Sequence, residues 1–185
     1  MTGSTQAKRA SRGRSVAVSS LAALAAIVLA GCEDFGGRVN TYTCPATTTV
    51  PELQTLALLP PGGNARSIIS AGRVNAVTAT CDPDGDKGVV SRLAIEFTAL
   101  RTTPAITHLD LPYFVALADS AGNILGKRLF VVRVDFALQT PVAKSTDDVT
   151  VHLPLRNEQL GNIYTLVVGF QLNRSQLDYN RAHLQ

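Results

Sequence analysis

The chain is predicted to be all-β: a single antiparallel β-sandwich with a short C-terminal helix. Three observations carry this. After residue 44 the apolar residues recur with period two in one run after another, the periodicity of a half-buried strand. Each run is bounded by Gly, Pro, Asn or Asp, the residues that turn a chain between strands. About 140 residues carry the pattern, enough for one domain with a core but not for two.

In chain order, stretches near 46–50 and 53–59 supply one or two short strands, and VNAVTATC (74–81) follows. VVSRLAIEFTAL (89–100) places Leu93, Ile95, Phe97 and Ala99 on one face and Arg92, Glu96 and Thr98 on the other. YFVALAD (113–119) and NILGKRLFVVRVDF (123–136) flank DSAGN, a hairpin turn in which Gly122 is free to take positive φ. VTVHLPL (149–155) and YTLVVGFQL (164–172) complete the set. Strands joined by short turns, with hardly any helix, read as the immunoglobulin or fibronectin type of sandwich. Tyr164 has the position of a tyrosine corner, whose hydroxyl ties down a crossover loop; a plain strand tyrosine is the alternative, because RNEQLGNI lacks the leucine and Pro-Gly pattern usual before that corner. RSQLDYNRAH, capped by Asn173 or Ser175, is a helix of one or two turns. Its Leu177 and Tyr179, with Leu184 beyond, dock either on the chain's own sandwich or on another protein. No internal repeat is present.

The first 31 residues differ in kind. Lys8, Arg9, Arg12 and Arg14 form a positive start without an acid, and Val16 to Leu29 is an apolar block about 14 residues long, shorter than the roughly 20 that span a bilayer as a helix. A signal peptide fits this better than a permanent anchor. The block ends in Leu29-Ala30-Gly31-Cys32, which resembles the lipobox of bacterial lipoproteins. In that family the cysteine thiol is joined to diacylglycerol, the preceding peptide is cut away and the new amino terminus is acylated, with palmitate a usual chain. The resemblance thus implies removal of 1–31 and makes Cys32 the lipidated first residue of the mature chain. Each buried methylene contributes about 0.8 kcal/mol, so two or three acyl chains hold a protein on a membrane without a spanning helix. The alternatives are an ordinary secretory signal with a cysteine at its end, or a buried apolar segment of a cytosolic protein.

Loss of this segment changes the charge argument. The whole chain has 17 Lys+Arg against 14 Asp+Glu, and residues 1–31 hold four of the former and none of the latter. The mature chain is left with 13 against 14, and no basic stripe interleaved with aromatics replaces the lost cations. Nucleic acid is therefore not an expected partner.

Of three cysteines, Cys44 and Cys81 remain once Cys32 is lipidated, and in an exported, oxidising compartment a disulfide between them is the natural inference. Two free buried thiols or half of a metal site are the alternatives. Zinc would want four ligands, and His108, His152 and His183 stand in no paired spacing. The domains are then 1–31, the removed signal; 32–43, the lipidated terminus and tether; and 44–185, the sandwich. EDFGGRVNTYT between Cys32 and Cys44 reaches at most roughly 36 Å fully extended, so the sandwich sits near the membrane. In bacterial lipoproteins an aspartate after the cysteine is the better-known signal for inner-membrane retention. Glu33 stands there instead, which favours the outer membrane, facing the periplasm.

CDPDGDKG (81–88) is the one stretch with the look of a metal loop. Laid on a twelve-residue calcium loop, Asp82, Asp84 and Asp86 take ligand positions one, three and five, but Lys87 stands where the bend needs glycine and Leu93 where a bidentate glutamate belongs. A wet hairpin turn built on Pro83, Gly85 and Gly88 is the preferred reading, and a weak calcium site the lesser one. No nucleophile elbow, His-Glu helix pair or phosphate loop occurs, so no catalytic residue and no cofactor are assigned and the chain is not expected to be an enzyme. HLD, with His108 and Asp110, is placed in a Pro-rich loop and His152 in a strand; a hydrolase would need one of these histidines beside a serine and an acid. Glycan binding leans on stacked aromatics, and this chain has no Trp and four Tyr. TTPAITHLDLPYFVALADSAGNILGKRLFVVRVDF and VVGFQLNRSQLDYNR resemble small envelope lipoproteins of Gram-negative bacteria, a likeness over most of 44–181 that implies the compartment and one β-rich domain but no activity. The expected role is a structural or protein-interaction module anchored by lipid, with a module for weak calcium or cell-wall glycan as the first alternative and a hydrolase as the second.

Overall fold

The computed structural model describes residues 43–60, 67–85, 88–153 and 158–183. The signal segment, Cys32, nearly all of the tether and Asp86 lie outside them. Among the described residues eight strands form two four-stranded sheets: β1 (Ala46–Thr49), β2 (Thr55–Leu58), β3 (Ser70–Pro83), β4 (Val89–Arg101), β5 (His108–Ala118), β6 (Ile124–Asp135), β7 (Val142–Leu153) and β8 (Thr165–Phe170). The first sheet runs β1-β8-β5-β6 and the second β2-β3-β4-β7. Every pairing is antiparallel except β1 with β8, which is parallel.

The period-two pattern determines which residues are buried. On β4, Leu93, Ile95, Phe97 and Ala99 are buried and Arg92 and Glu96 on the other face are exposed, as the alternation predicts. They share one buried cluster with Leu111, Tyr113 and Val115 of β5 and Leu166, Val168 and Phe170 of β8, so both sheets feed the main core. Phe97 lies at its centre, its ring tilted against Tyr113 at 5.0 Å and Phe170 at 6.0 Å between centroids. Burying each such side chain contributes about 1.5 to 3 kcal/mol. Gly72 of β3 is there because Leu111 needs the space: a Cβ at that position would lie 2.9 Å from a Leu111 methyl.

Several elements differ from the sequence-based expectation; β3, for one, begins at Ser70, four residues before the expected start. β5 begins at His108, so HLD is strand rather than loop. Proline was the misleading signal: Pro112 lies where β8 has ended, its carbonyl still accepts the Gln171 N–H at 2.9 Å, and its missing N–H ends the ladder without breaking it. β7 begins at Val142, seven residues before the expected start, because its first half is polar on both faces. The helix α1 (Arg174–His183) has ten residues, longer than two turns. Asn173 Oδ1 accepts the Gln176 N–H and Gln176 Oε1 accepts the Asn173 N–H, both at 2.9 Å, a reciprocal cap that satisfies two terminal donors. α1 docks on its own chain: the buried Asn180 amide donates to the Glu52 and Thr55 carbonyls, each at 2.7 Å, and Gln176 to Ala57 at 3.3 Å.

The DSAGN turn forms as predicted, with Gly122 at φ 83°. Asp119 organises it, accepting N–H bonds from Ala121 at 2.9 Å and Asn123 at 2.8 Å and the Asn123 side-chain amide at 3.0 Å. These donors, the Asn123 side chain foremost, hold the Asp119 carboxyl below the ordinary aspartate range. A carboxyl whose folded pKa is depressed stabilises the fold above its unfolded pKa, about 3.9, and that contribution fades as pH falls through the lower folded value. Carboxyl NMR titration is expected to place Asp119 below the ordinary aspartate value, and Asn123→Ala to return it toward that value; an Asp119 midpoint at the ordinary value would contradict the geometry.

Candidate functional site

The register places the starts of β1, β6 and β8 and the end of β5 in one row, Ala46, Thr165, Ala118 and Ile124, so the tether enters at the end that carries the β5–β6 hairpin. Cys44 is bonded to Cys81 there, with Cα atoms 5.8 Å apart. The bond runs from just before β1 on the first sheet to β3 on the second, and so joins the start of β1 to the long β3–β4 ladder.

The acidic turn lies at this same end. The Asp84 N–H donates to the Gly88 carbonyl at 2.8 Å, and Gly85 and Gly88 take positive φ, so the segment closes the β3–β4 hairpin as a turn. Its carboxylates have protein partners: Asp82 pairs with Arg92, and Asp84 lies 3.2 Å from His152 Nδ1. Among the described residues no three His, Cys, Asp or Glu side chains converge as metal ligands. Sequence spacing brings Asp82 and Asp84 to one turn but turns them to different partners, Arg92 and His152.

His152 therefore has an acid beside it. Val90 and Ser91 of β4 pair with His152 and Val151 of β7, and consecutive residues of a strand point to opposite faces. His152 is on the outer face, while Ser91 is fully buried on the inner one, its hydroxyl without a hydrogen-bond partner among the described residues. His108 contacts the Thr107 hydroxyl at 3.3 Å, and His183 contacts the Tyr179 carbonyl at 2.7 Å. Tyr164 uses its main chain, donating to Gly161 O and accepting from Ala46 N at 3.2 Å each.

The four sheet edges are more informative, since an unpaired edge is a template for another strand and proteins normally cover it. β2 is covered by α1 through Asn180 and Gln176. β1 has four residues and is latched by the disulfide. β7 carries an inward-pointing acid: Asp147 accepts the hydroxyl of buried Tyr113 at 2.7 Å, and burial first, then that carboxylate, pushes the Tyr113 pKa upward and keeps it a donor.

β6 is the exception. It is twelve residues long, and Leu125, Leu129 and Val131 on its outer face are 54%, 64% and 62% exposed, with Ile124 at 58%. Lys127, the residue that would blunt such an edge, lies back over its own sheet: its ammonium donates to Gln171 at 2.7 Å and sits 4.2 Å from the Phe114 ring centroid. Sequence reasoning saw this segment only as a strand. Its period-two pattern puts Leu125, Leu129 and Val131 on one face and Ile124, Phe130, Val132 and Val134 on the other, with Lys127, Arg128 and Arg133 between them, and apolar residues on both faces are the signal that would have marked it.

No protein-family model, curated protein or solved structure matches the chain.

Proposed function

We propose that this chain is a lipid-anchored envelope protein whose β-sandwich is a protein-interaction module, with β6 as its docking edge. The carrying observation is that β6 alone among the four edges presents a long, apolar, unlatched strand. Main-chain hydrogen bonds would give a partner strand its affinity and the outer-face leucines its selectivity. An immunoglobulin-like type is supported by strand order. β3, β4 and β7 follow the A, B and E strands of that fold, and β5, β6 and β8 follow C, C′ and F, with the same crossings between sheets. The departure is at the G position, which the N-terminal β1 fills in parallel with β8.

The anchor is Cys32, lipidated after removal of 1–31, on the outer membrane facing the periplasm. Cys32→Ser is expected to move the protein from the membrane to the soluble fraction, and continued attachment would defeat this part of the reading. Amine-reactive crosslinking of the intact protein in its envelope tests the docking edge, because Lys127 lies on β6 and Lys144 on β7. Crosslinks to a defined protein from Lys127 and not Lys144 are expected; the reverse pattern would remove β6 from the site.

A further inference from the structure

We infer that the cavity between the β4–β5 and β6–β7 crossovers is a binding site for a small carboxylate, with Arg101 as its cation. The cavity has a volume of about 270 Å³ and is lined by residues 101–104, from the end of β4 onward, and 139–141, just before β7. Arginine is almost never buried unless it is paired, because an unpaired charge gives up its hydration for nothing. Arg101 is 6% exposed, and neither the cavity lining nor any ion pair among the described residues brings it a carboxylate. The carbonyls of Pro104, Ile106, Ala137 and Thr140 accept its N–H groups. They supply partial charge but no net charge, so the cation stays uncompensated. The terminal nitrogen that donates to Ala137 carries two N–H groups, and the second has no acceptor among the described residues.

The other groups around the cavity narrow the ligand class. The Thr102 and Thr140 hydroxyls are committed to the Ile69 and Ala137 carbonyls, at 2.7 and 3.0 Å. Thr103 Oγ1 accepts the Ala105 N–H at 3.4 Å and keeps its own proton to donate. Two unfilled donors on one cavity, one of them charged, match the two oxygens of a carboxylate. No second cation lines the cavity, so a phosphate dianion would bring one charge more than the site balances. The volume is below the roughly 300 Å³ at which sites for drug-sized ligands begin, which suits a short acid or the end of a chain. Gln139, on the far wall, is the one non-glycine residue with positive φ among the described residues, at 63°. Such a conformation persists where the surroundings impose it, and ligand clamps are among the places where it gathers.

Acetate is the probe that tests the site, read by backbone-amide NMR of the full-length chain in detergent at constant ionic strength, with acetamide and chloride as controls. Acetate should shift the Thr103 and Gln139 amides along a saturating curve and leave Gly88, at the other end of the sandwich, in place; acetamide and chloride should do neither. Gln139→Glu sets a carboxylate in the cavity wall, where it competes for the cation, so acetate should bind that variant about tenfold more weakly or not at all. All four acceptors of Arg101 are main-chain carbonyls, so the substitution removes none of them. A free organic acid and the C-terminal carboxylate of a peptide share this chemistry, and N-acetyl-Ala-Ala separates them. Tighter binding than acetate, lost in its C-terminal amide, assigns a peptide end; binding no tighter than acetate assigns a free acid. Equal shifts with acetate and acetamide, shifts without saturation, or an undiminished acetate response in Gln139→Glu overturn the inference.

Discussion

Replacing Cys44 and Cys81 together with alanine is expected to destabilise the domain by about 4 kcal/mol. The bond joins residues 37 apart in sequence, and closing a loop of that length removes about this much conformational entropy from the unfolded chain on the chain-entropy model. The folded side of the balance points the same way. β1 is four residues long, alternates exposed and half-buried side chains, and is the one parallel partner in either sheet. Without the bond, little holds Ala46–Thr49 on β8 beyond a few ladder bonds and the Ala46 N–H on the Tyr164 carbonyl. Urea unfolding of the mature chain should show the lowered midpoint, with a steeper slope because the uncrosslinked denatured chain exposes more surface. Hydrogen exchange in Thr165–Phe170 should quicken as β1 leaves and β8 becomes a bare edge. A loss below about 1 kcal/mol, with β8 still protected, would mean that β1 is held by its own contacts.

This matters to function because the tether and the latch meet at one residue. Under the proposed anchor at Cys32, force from a membrane would reach Cys44 before it reached any strand. With the bond intact it passes into β3, which is fourteen residues long and paired along its whole length with β4. Without it, β1 would be peeled first, and the protein would expose a second apolar edge beside the one it already keeps open. The latch therefore keeps β8 from becoming a further open edge.

What was legible in the sequence follows from which interactions leave a periodic trace. β4 was readable to within one residue because one face is core and the other water. The Asp119 turn was readable because Gly122 has a local conformational reason. The start of β7 was not, since VAKSTDD is polar on both faces; its inward Asp147 is stabilised by a hydroxyl from β5, thirty-four residues away in sequence. The proline before Tyr113 looked like a loop because sequence cannot show that β8 ends opposite it. The acidic turn was recognised as a turn, yet its pairing with Arg92 and His152 depends on register across the second sheet. The open edge of β6 was invisible for a similar reason. Whether an apolar strand is central or marginal is a property of sheet order, and none of its own residues records it.

Arg101→Met is expected to cost about 3 to 5 kcal/mol, the size of effect seen when a buried charged network loses a member. Arg101 ends β4 and is 6% exposed, yet no carboxylate pairs with it among the described residues. Carbonyl oxygens solvate it instead. Nε donates to Thr140 at 2.9 Å, one terminal nitrogen to Ile106 at 2.6 Å and Pro104 at 3.3 Å, and the other to Ala137 at 3.0 Å. The guanidinium also lies 4.8 Å from the Phe136 ring centroid. One side chain thus ties the β4–β5 and β6–β7 crossovers together at the end opposite the tether. The planar fork is what allows four carbonyls on two loops to be reached at once, so Arg101→Lys, which keeps the charge as a single ammonium, should recover only a minor part of the loss. Thermal or urea unfolding of the three proteins measures this, and near-native stability of the lysine variant would show that charge alone, rather than the fork, joins the loops.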